Sequence, residues 1–137
     1  MVQGQVVWFE IPVKDLDKSI LFYSAVLSIK IQKNKFLDTE YGIFDKDKNS
    51  IGGTLALKEN HKPASEIILF FYVVSISDSL TNVEKYGGKI IVEKTLLKQK
   101  NAEGYLTINS NLIDGNIGYY AELLDCEGNR ICLYSNS

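Results

Sequence analysis

Two carboxylates and one thiol lie where strands are expected, and these side chains could do chemistry. Glu10 lies inside the apolar run 6–13, Glu122 lies inside the run 119–124, and Cys132 lies in a third apolar run. Burying an unpaired carboxylate costs free energy, so each carboxylate needs a partner or has a raised pKa. Such a group serves as an acid, a base or an anchor for a cation. The alternative is a structural carboxylate that pairs with a nearby backbone group, Lys or Tyr.

The cysteines and the histidine do not predict thiol or zinc chemistry. A nucleophilic thiol needs a base beside it, and the only histidine, His61, lies in a linker with Lys, Asn and Pro where a surface position is expected. Cys126 and Cys132 are too few for a disulfide scaffold, and no Cys and His have the spacing of a zinc site. Both thiols are expected to stay reduced.

Composition and charge exclude several classes of function. The net charge of −2 is small, and no run of Lys and Arg accompanies aromatic residues, so a nucleic-acid surface is not expected. No apolar stretch approaches the roughly 18–20 residues that span a bilayer, so no membrane partner is expected. The first residues lack the basic and apolar regions of a signal peptide, which favours a cytoplasmic protein.

The elements that position these residues occur in the same order twice. The apolar runs and turn residues predict strand, helix, strand, strand and strand in a first module of about residues 5–58 and again in a second of about 66–135. An offset of 60 residues places Trp8 on Ile68 and Leu16 on Ile76. A duplication within one α+β domain, residues 1–137, explains this pattern. Two unrelated amphipathic stretches are the alternative.

One segment, residues 98–118, is much longer than the corresponding stretch in the first module. It carries Tyr105, Ile108, Leu112 and Ile113 among polar residues. Loops this long are uncommon in compact domains unless they act as lids or contacts. We expect this segment to be a lid or a contact.

Three fragments resemble the glyoxalase/bleomycin resistance/dioxygenase superfamily, also called vicinal oxygen chelate proteins. Residues 9–23 are similar to its opening strand and helix, and Gly87-Gly88-Lys89 is similar to the stop after its second helix. Residues 125–131 resemble its closing Asp-Pro-Glu-Gly-Asn hairpin, with Cys126 where Pro is common. Together the fragments span nearly the whole chain, in the right order.

The resemblance implies two βαβββ modules that form a curled, mostly antiparallel sheet, with helices outside and a cavity on the concave face. Side chains alternate across a strand, so Phe9, Ile11 and Val13 would pack on the helix. The same counting gives the predicted ligand-binding cavity, which is lined by Trp8, Glu10, Phe70, Tyr72, Tyr120, Glu122, Cys132 and Tyr134.

Metal-dependent members of the superfamily carry four ligands (His, Glu or Gln) on these strands. Carried over to this sequence, the four positions are Trp8, Ala56, Ile68 and Cys132. None supplies an oxygen or imidazole ligand, and one soft thiol does not hold a divalent ion. The resemblance therefore implies no bound metal and no cofactor. A register slip of one or two residues would instead bring Glu10 and Glu122 into the site.

The resulting expectation is a metal-free superfamily member that binds a small organic molecule in an aromatic cavity, as a homodimer. Trp8 is either a platform for a planar or cationic ligand or a filler of the former metal site. The alternative is a glyoxalase- or lyase-type enzyme that uses Glu10 as a base on a carbonyl substrate. A third possibility is a filled cavity that leaves only dimerisation or partner binding. Whether a reaction is catalysed, and by which residues, stays open.

Overall fold

The chain forms two βαβββ modules, as the sequence predicts. The structure is a computed structural model that describes residues 3, 5–36, 38–63, 67–100, 106–107, 111 and 113–137. The first module contains β1 (Trp8–Val13), α1 (Leu16–Leu27), β2 (Ile31–Phe36), β3 (Thr39–Phe44) and β4 (Gly52–Leu57). The second contains β5 (Phe70–Tyr72), α2 (Ile76–Lys85), β6 (Lys89–Leu96), the short β7 (Gln99–Lys100) and β8 (Leu106–Thr107), β9 (Tyr119–Leu124) and β10 (Arg130–Ser135).

Each module forms its own four-stranded mixed sheet. The strand orders are β1-β4-β3-β2 and β5-β10-β9-β6, and β7 pairs with β8. The β1–β4 and β5–β10 pairs are parallel, whereas the other pairs are antiparallel. The α+β class and the repeated modules are therefore confirmed. No helix among the described residues is long and apolar enough to cross a membrane.

Two strands of the second module differ in length from the prediction. The apolar run 66–74 predicts a long strand, but β5 is only three residues long and pairs with β10 alone at the sheet edge. In contrast, β6 continues to Leu96 rather than ending near Val92, and two register shifts in its pairing with β9 accompany the extension. Edge strands tolerate such irregularities.

Capping residues set where both helices begin. The side chain of Asp15 accepts a hydrogen bond from the Lys18 amide at 3.1 Å, and that of Ser75 accepts one from the Asp78 amide at 3.2 Å. These bonds satisfy amides that have no partner within a helix. Each helix then packs its apolar face on its own sheet, and the two helices also contact each other.

One hydrophobic core joins the two modules on the helix side of both sheets. It contains Phe22 and Val26 of α1, Val83 of α2, and the central strand residues Leu55 and Leu133, all of which are fully buried. The rings of Phe9 and Phe71, one from each module, meet edge-to-face with centroids 5.6 Å apart. Because side chains alternate along a strand, burial on this side fixes which residues lie on the opposite face of each sheet.

The turn 125–129 connects the second module to β1 and α1 of the first module. Tyr23 donates its hydroxyl hydrogen to Asp125 over 2.6 Å, and the Asn129 side chain donates to the Pro12 carbonyl over 3.1 Å. Gly128 has φ of +87°, a left-handed conformation that suits glycine in this tight turn. Burial, and then the charge of Asp125, raises the pKa of Tyr23 well above its usual value, so this hydroxyl stays a donor.

Glu127 of this turn binds several groups at the start of the first helix. One carboxylate oxygen accepts from the Lys14 amide at 2.5 Å and lies 3.0 Å from Nε2 of His61. The other accepts from the Asp15 amide at 2.6 Å and from the Ser19 hydroxyl at 3.3 Å. Burial alone raises the pKa of Glu127, but the hydrogen bonds from His61 and the two amides outweigh it, so the pKa is lowered.

We expect Glu127→Gln to reduce the free energy of unfolding by about 2 kcal/mol at pH 7, because it removes a charged acceptor from several donors. The pKa of the folded state lies below the unfolded value of 4.5, so the contribution is present above that pH and is lost as the pH falls through the folded pKa. Urea unfolding at pH 7 and at several pH values below 4.5 measures this. Glu59→Gln, at an exposed linker position, is the matched control. A pH-independent difference between Glu127→Gln and the wild type would contradict the assignment.

Candidate functional site

The face of the first sheet that points away from the helix carries an open depression of about 460 Å³. Its lining residues are Trp8, Glu10, Tyr41, Ile43 and Thr54. They share this face because the strand register places Glu10 opposite Thr54, and Thr54 opposite Ile43. The Trp8 residue is 49% exposed, which is unusual for so large an apolar ring and leaves it accessible from this depression.

Glu10 is an accessible carboxylate rather than a buried one. Its side chain is 44% exposed, and the ammonium group of Lys58 lies 3.9 Å from its Oε1. Ion pairs with this exposure are weak, so Lys58 compensates the charge only in part. The arrangement leaves a carboxylate beside an exposed indole, which together attract a cation or a hydrogen-bond donor.

The corresponding face of the second sheet carries the other predicted residues. Cys132 lies opposite Phe70 on one side and Glu122 on the other, and Tyr134 lies in the same way between two tyrosines. Opposite residues share a face, so six predicted residues lie on this one surface: Phe70, Tyr72, Tyr120, Glu122, Cys132 and Tyr134. The predicted cavity is thus distributed over two sheets.

Arg130 partners the second carboxylate. Its Nε donates to Glu122, which is 8% exposed, and this bond raises the pKa of Arg130. Burial first, and then the negative charge of Glu122, raises the pKa of the neighbouring Cys132 to about 11. Cys132 is therefore a neutral thiol at pH 7 and has little nucleophilic character.

A second, more apolar groove of about 350 Å³ lies where the edges of the two sheets meet. Val6 and Phe9 line it from the first module, and Phe70 and Tyr72 line it from the second. Phe70 and Tyr72 are 52% and 60% exposed, so the β5 edge presents aromatic surface outward. Trp8 and Glu10 line the depression and not this groove.

The donor set does not fit the metal that metal-dependent members of the superfamily carry. The register makes Thr54, and not Ala56, the counterpart of Cys132, because Glu10 faces Thr54 as Phe70 faces Cys132. The expectation that Ala56 occupies the position equivalent to Cys132 is therefore wrong by two residues, because Ala56 faces Pro12 and corresponds to Tyr134. Thr54 is no better as a replacement for His, Glu or Gln. In the part of the chain that the structure describes, no group of three or more His, Cys, Asp or Glu side chains is arranged to hold a metal ion.

Sequence reasoning missed Tyr41, Ile43 and Arg130. Arg130 was within reach of the same period-two counting, since it lies two residues before Cys132 on β10. Tyr41 and Ile43 required knowledge that β3 is the neighbour of β4 and in which register. The alternation of side chains along a strand predicts on which side of the sheet a residue lies, but it does not predict which residues are its neighbours.

Comparison with known proteins gives a sequence match over part of the chain and structural matches over nearly the whole chain. The family model described as bleomycin resistance protein-like N-terminal matches residues 5–41. No curated protein matches the sequence.

Solved structures cover nearly the whole chain. A hypothetical protein from S. aureus is 22% identical, with a TM-score of 0.64 over 98% of this chain and 99% of its own. A glyoxalase/bleomycin resistance protein from Albidiferax ferrireducens is 20% identical, with a TM-score of 0.59 over 94% and 97%. A fosfomycin resistance protein from Listeria monocytogenes, solved with Mn(II) and sulfate, is 10% identical, with a TM-score of 0.63 over 100% and 95%.

These matches confirm the resemblance to the glyoxalase/bleomycin resistance/dioxygenase superfamily, in the sequence of the opening strand and helix and in the fold of both modules. The identities are low, so the structural likeness concerns the fold and leaves the chemistry to the residues of this chain.

Proposed function

We propose that this chain, which has the fold of the glyoxalase/bleomycin resistance/dioxygenase superfamily, binds a small organic molecule without a metal ion. The depression beside Trp8 and Glu10 is the binding site. The observation that carries the proposal is an exposed indole and an accessible carboxylate sharing one concavity of about 460 Å³. This volume falls within the range of small-molecule sites.

The chemistry of the depression favours a planar ligand that carries a positive charge. An indole ring offers a stacking face, and it attracts cations through the negative face of its π system. Glu10 supplies a counter-charge, and Tyr41 and Thr54 supply hydroxyl groups at the floor. The ion-pair partner of Glu10, Lys58, has a half-exposed, flexible side chain whose ammonium group can move away from Glu10 when a ligand binds.

Binding is favoured over the lyase-type alternative. A carboxylate base acting on a carbonyl substrate needs a donor that stabilises the developing oxyanion in a site shielded from water. Glu10 is open to water, and the ammonium group nearest to it is its own ion-pair partner. The same surroundings suit a carboxylate that anchors a ligand.

The first test concerns metal content. The four positions of the superfamily ligands hold Trp8, Thr54, Ile68 and Cys132, whose side chains do not form a divalent-ion site. We expect elemental analysis of the untagged protein to find far less than one equivalent of nickel, zinc, iron or manganese. A stoichiometric metal bound by Glu10 or Glu122 would overturn the metal-free assignment.

The second test concerns Glu10. Trp8 is the only tryptophan, so quenching of its fluorescence reports binding at the depression. We expect Glu10→Gln to weaken binding of ethidium, a planar cation, by roughly two- to fivefold, the factor for losing an exposed charge pair. Binding of a neutral aromatic such as 1-naphthol should change little.

Glu84→Gln removes the same charge from an exposed position on α2 and is the matched control. An equal loss in both variants would indicate a general charge effect and not a site. A higher melting temperature of Glu10→Gln with unchanged ethidium binding would make Glu10 a structural carboxylate only.

The third test concerns a second copy of the chain, which we propose covers the exposed strand edges. β1 and β5 are edge strands, and exposed apolar residues lie on β5 (Phe70 and Tyr72) and just before β1 (Val6 and Val7). Of the segment that the sequence indicated as a contact, Tyr105, Ile108 and Leu112 lie outside the described residues, while Ile113 is exposed.

We expect light scattering at roughly tens of micromolar to give twice the chain mass of 15.4 kDa. Phe70→Asp should shift the protein towards monomer. Leu21→Asp, at an exposed leucine on the outer face of α1, should leave the dimer intact. A monomer at this concentration would remove the proposed homodimer.

A further inference from the structure

Residues 113–118, called the strap, cross the end of the second sheet and end at Gly118 beside Tyr134. A Cβ atom built on Gly118 would lie 2.6 Å from the Tyr134 ring, so the backbone of the strap contacts this ring directly. Tyr134 is 5% exposed although it lies on the sheet face that points away from the helices. The strap is part of what covers it.

Four polar side chains, called the latch, hold the strap in this position: Asn111, Asp114, Tyr134 and Asn136. The Tyr134 hydroxyl accepts from the side-chain amides of Asn111 at 2.9 Å and Asn136 at 3.0 Å. The Asn136 amide also donates to Asp114 at 2.9 Å and to the Ile117 carbonyl at 3.1 Å. Hydrogen bonds from Asn136, the Asn116 amide, Tyr134 and Asn111 lower the pKa of Asp114 to about 2.

Apolar burial contributes little to holding the strap. Residues 113–117 are exposed, including Ile113 at 55% and Ile117 at 48%, whereas the flanking Asn111 and Gly118 are buried. A segment with few buried apolar contacts and a small set of hydrogen bonds opens at a lower free-energy cost than the core around it. The hydrogen bonds of the latch are therefore what keeps the strap closed.

We propose that the strap is a releasable cover over the end of the second sheet face, and that the latch controls its opening. Release uncovers Tyr134 and, two residues earlier on the same face, Cys132, which is 4% exposed. The exposed Phe70 and Tyr72 and the Arg130–Glu122 pair then join Tyr134 and Cys132 in one wider binding surface, whereas the depression of the first module is open with the strap closed. The inference does not depend on the proposed function of that depression.

Hydrogen exchange tests the latch. The amide of Gly115 donates to the Asn111 carbonyl, and the amide of Leu97 donates to the Gly118 carbonyl, so both report on the strap. Tyr134→Phe and Asn136→Ala should each accelerate exchange at these amides by roughly three- to tenfold, the factor for losing a hydrogen bond or two. The amides of the core strands β4 and β10 should be unchanged.

Tyr120→Phe is the matched control, because it removes a hydroxyl from the facing tyrosine on the same surface without touching the latch. Asn136 is exposed near the end of the chain, so its variant remains informative should Tyr134→Phe fail to fold. Unchanged exchange at Gly115 and Leu97 would overturn the proposal. Acceleration of strap and core amides together would overturn it as well, since the strap would then not open independently.

Thiol labelling tests what the strap covers. In a Cys126→Ser background, Cys132 is the only thiol, and its reaction with a disulfide reagent at mildly alkaline pH reports access to the second face. Asn136→Ala should speed this reaction by the same factor as the strap exchange. Faster strap exchange with unchanged labelling of Cys132 would show that the strap moves without uncovering the face, and would sink that part of the proposal.

Discussion

The bonding of the turn 125–129 to the start of α1 is the contact on which the rest of the structure depends. Asp125, Glu127 and Asn129 together accept from Tyr23 and two backbone amides and donate to the Pro12 carbonyl. Buried polar groups need hydrogen-bond partners, so moving the turn away from these partners would cost free energy. The turn therefore fixes the closing hairpin of the second module against the strand-to-helix corner of the first.

This attachment joins the modules on their helix sides, and the opposite sheet faces become the surfaces available for function. The two faces differ in exposure and charge although the modules have the same order of elements. The first keeps an open depression with an accessible carboxylate at Glu10. In the second, Arg130 neutralises the nearly buried Glu122, and residues 113–118 lie over Tyr134. Duplicated architecture with different side chains yields different chemistry.

The superfamily positions that would hold a metal illustrate the same principle. The strands deliver Trp8 and Cys132 to these places, but an indole and a neutral thiol do not replace imidazole and carboxylate ligands. The geometry of the fold survives such a change because it rests on the helix-side core and on the turn 125–129. The proposed function rests on the residues that remain: a stacking ring, a carboxylate and hydroxyl groups.

The sequence by itself determined the local order of the structure. Alternation assigned Ile11 and Val13 to the core, capping side chains started both helices, and the 60-residue offset revealed the second module. These signals are local or repeat at a fixed distance, so they can be recognised in the sequence alone. Only the tertiary structure decided that Glu10 meets Lys58, that Glu122 meets Arg130 and that Thr54 rather than Ala56 faces Glu10. The physical reason is that strand register is set by turn lengths and by packing of the whole core, so the neighbours of a side chain belong to no single segment of sequence.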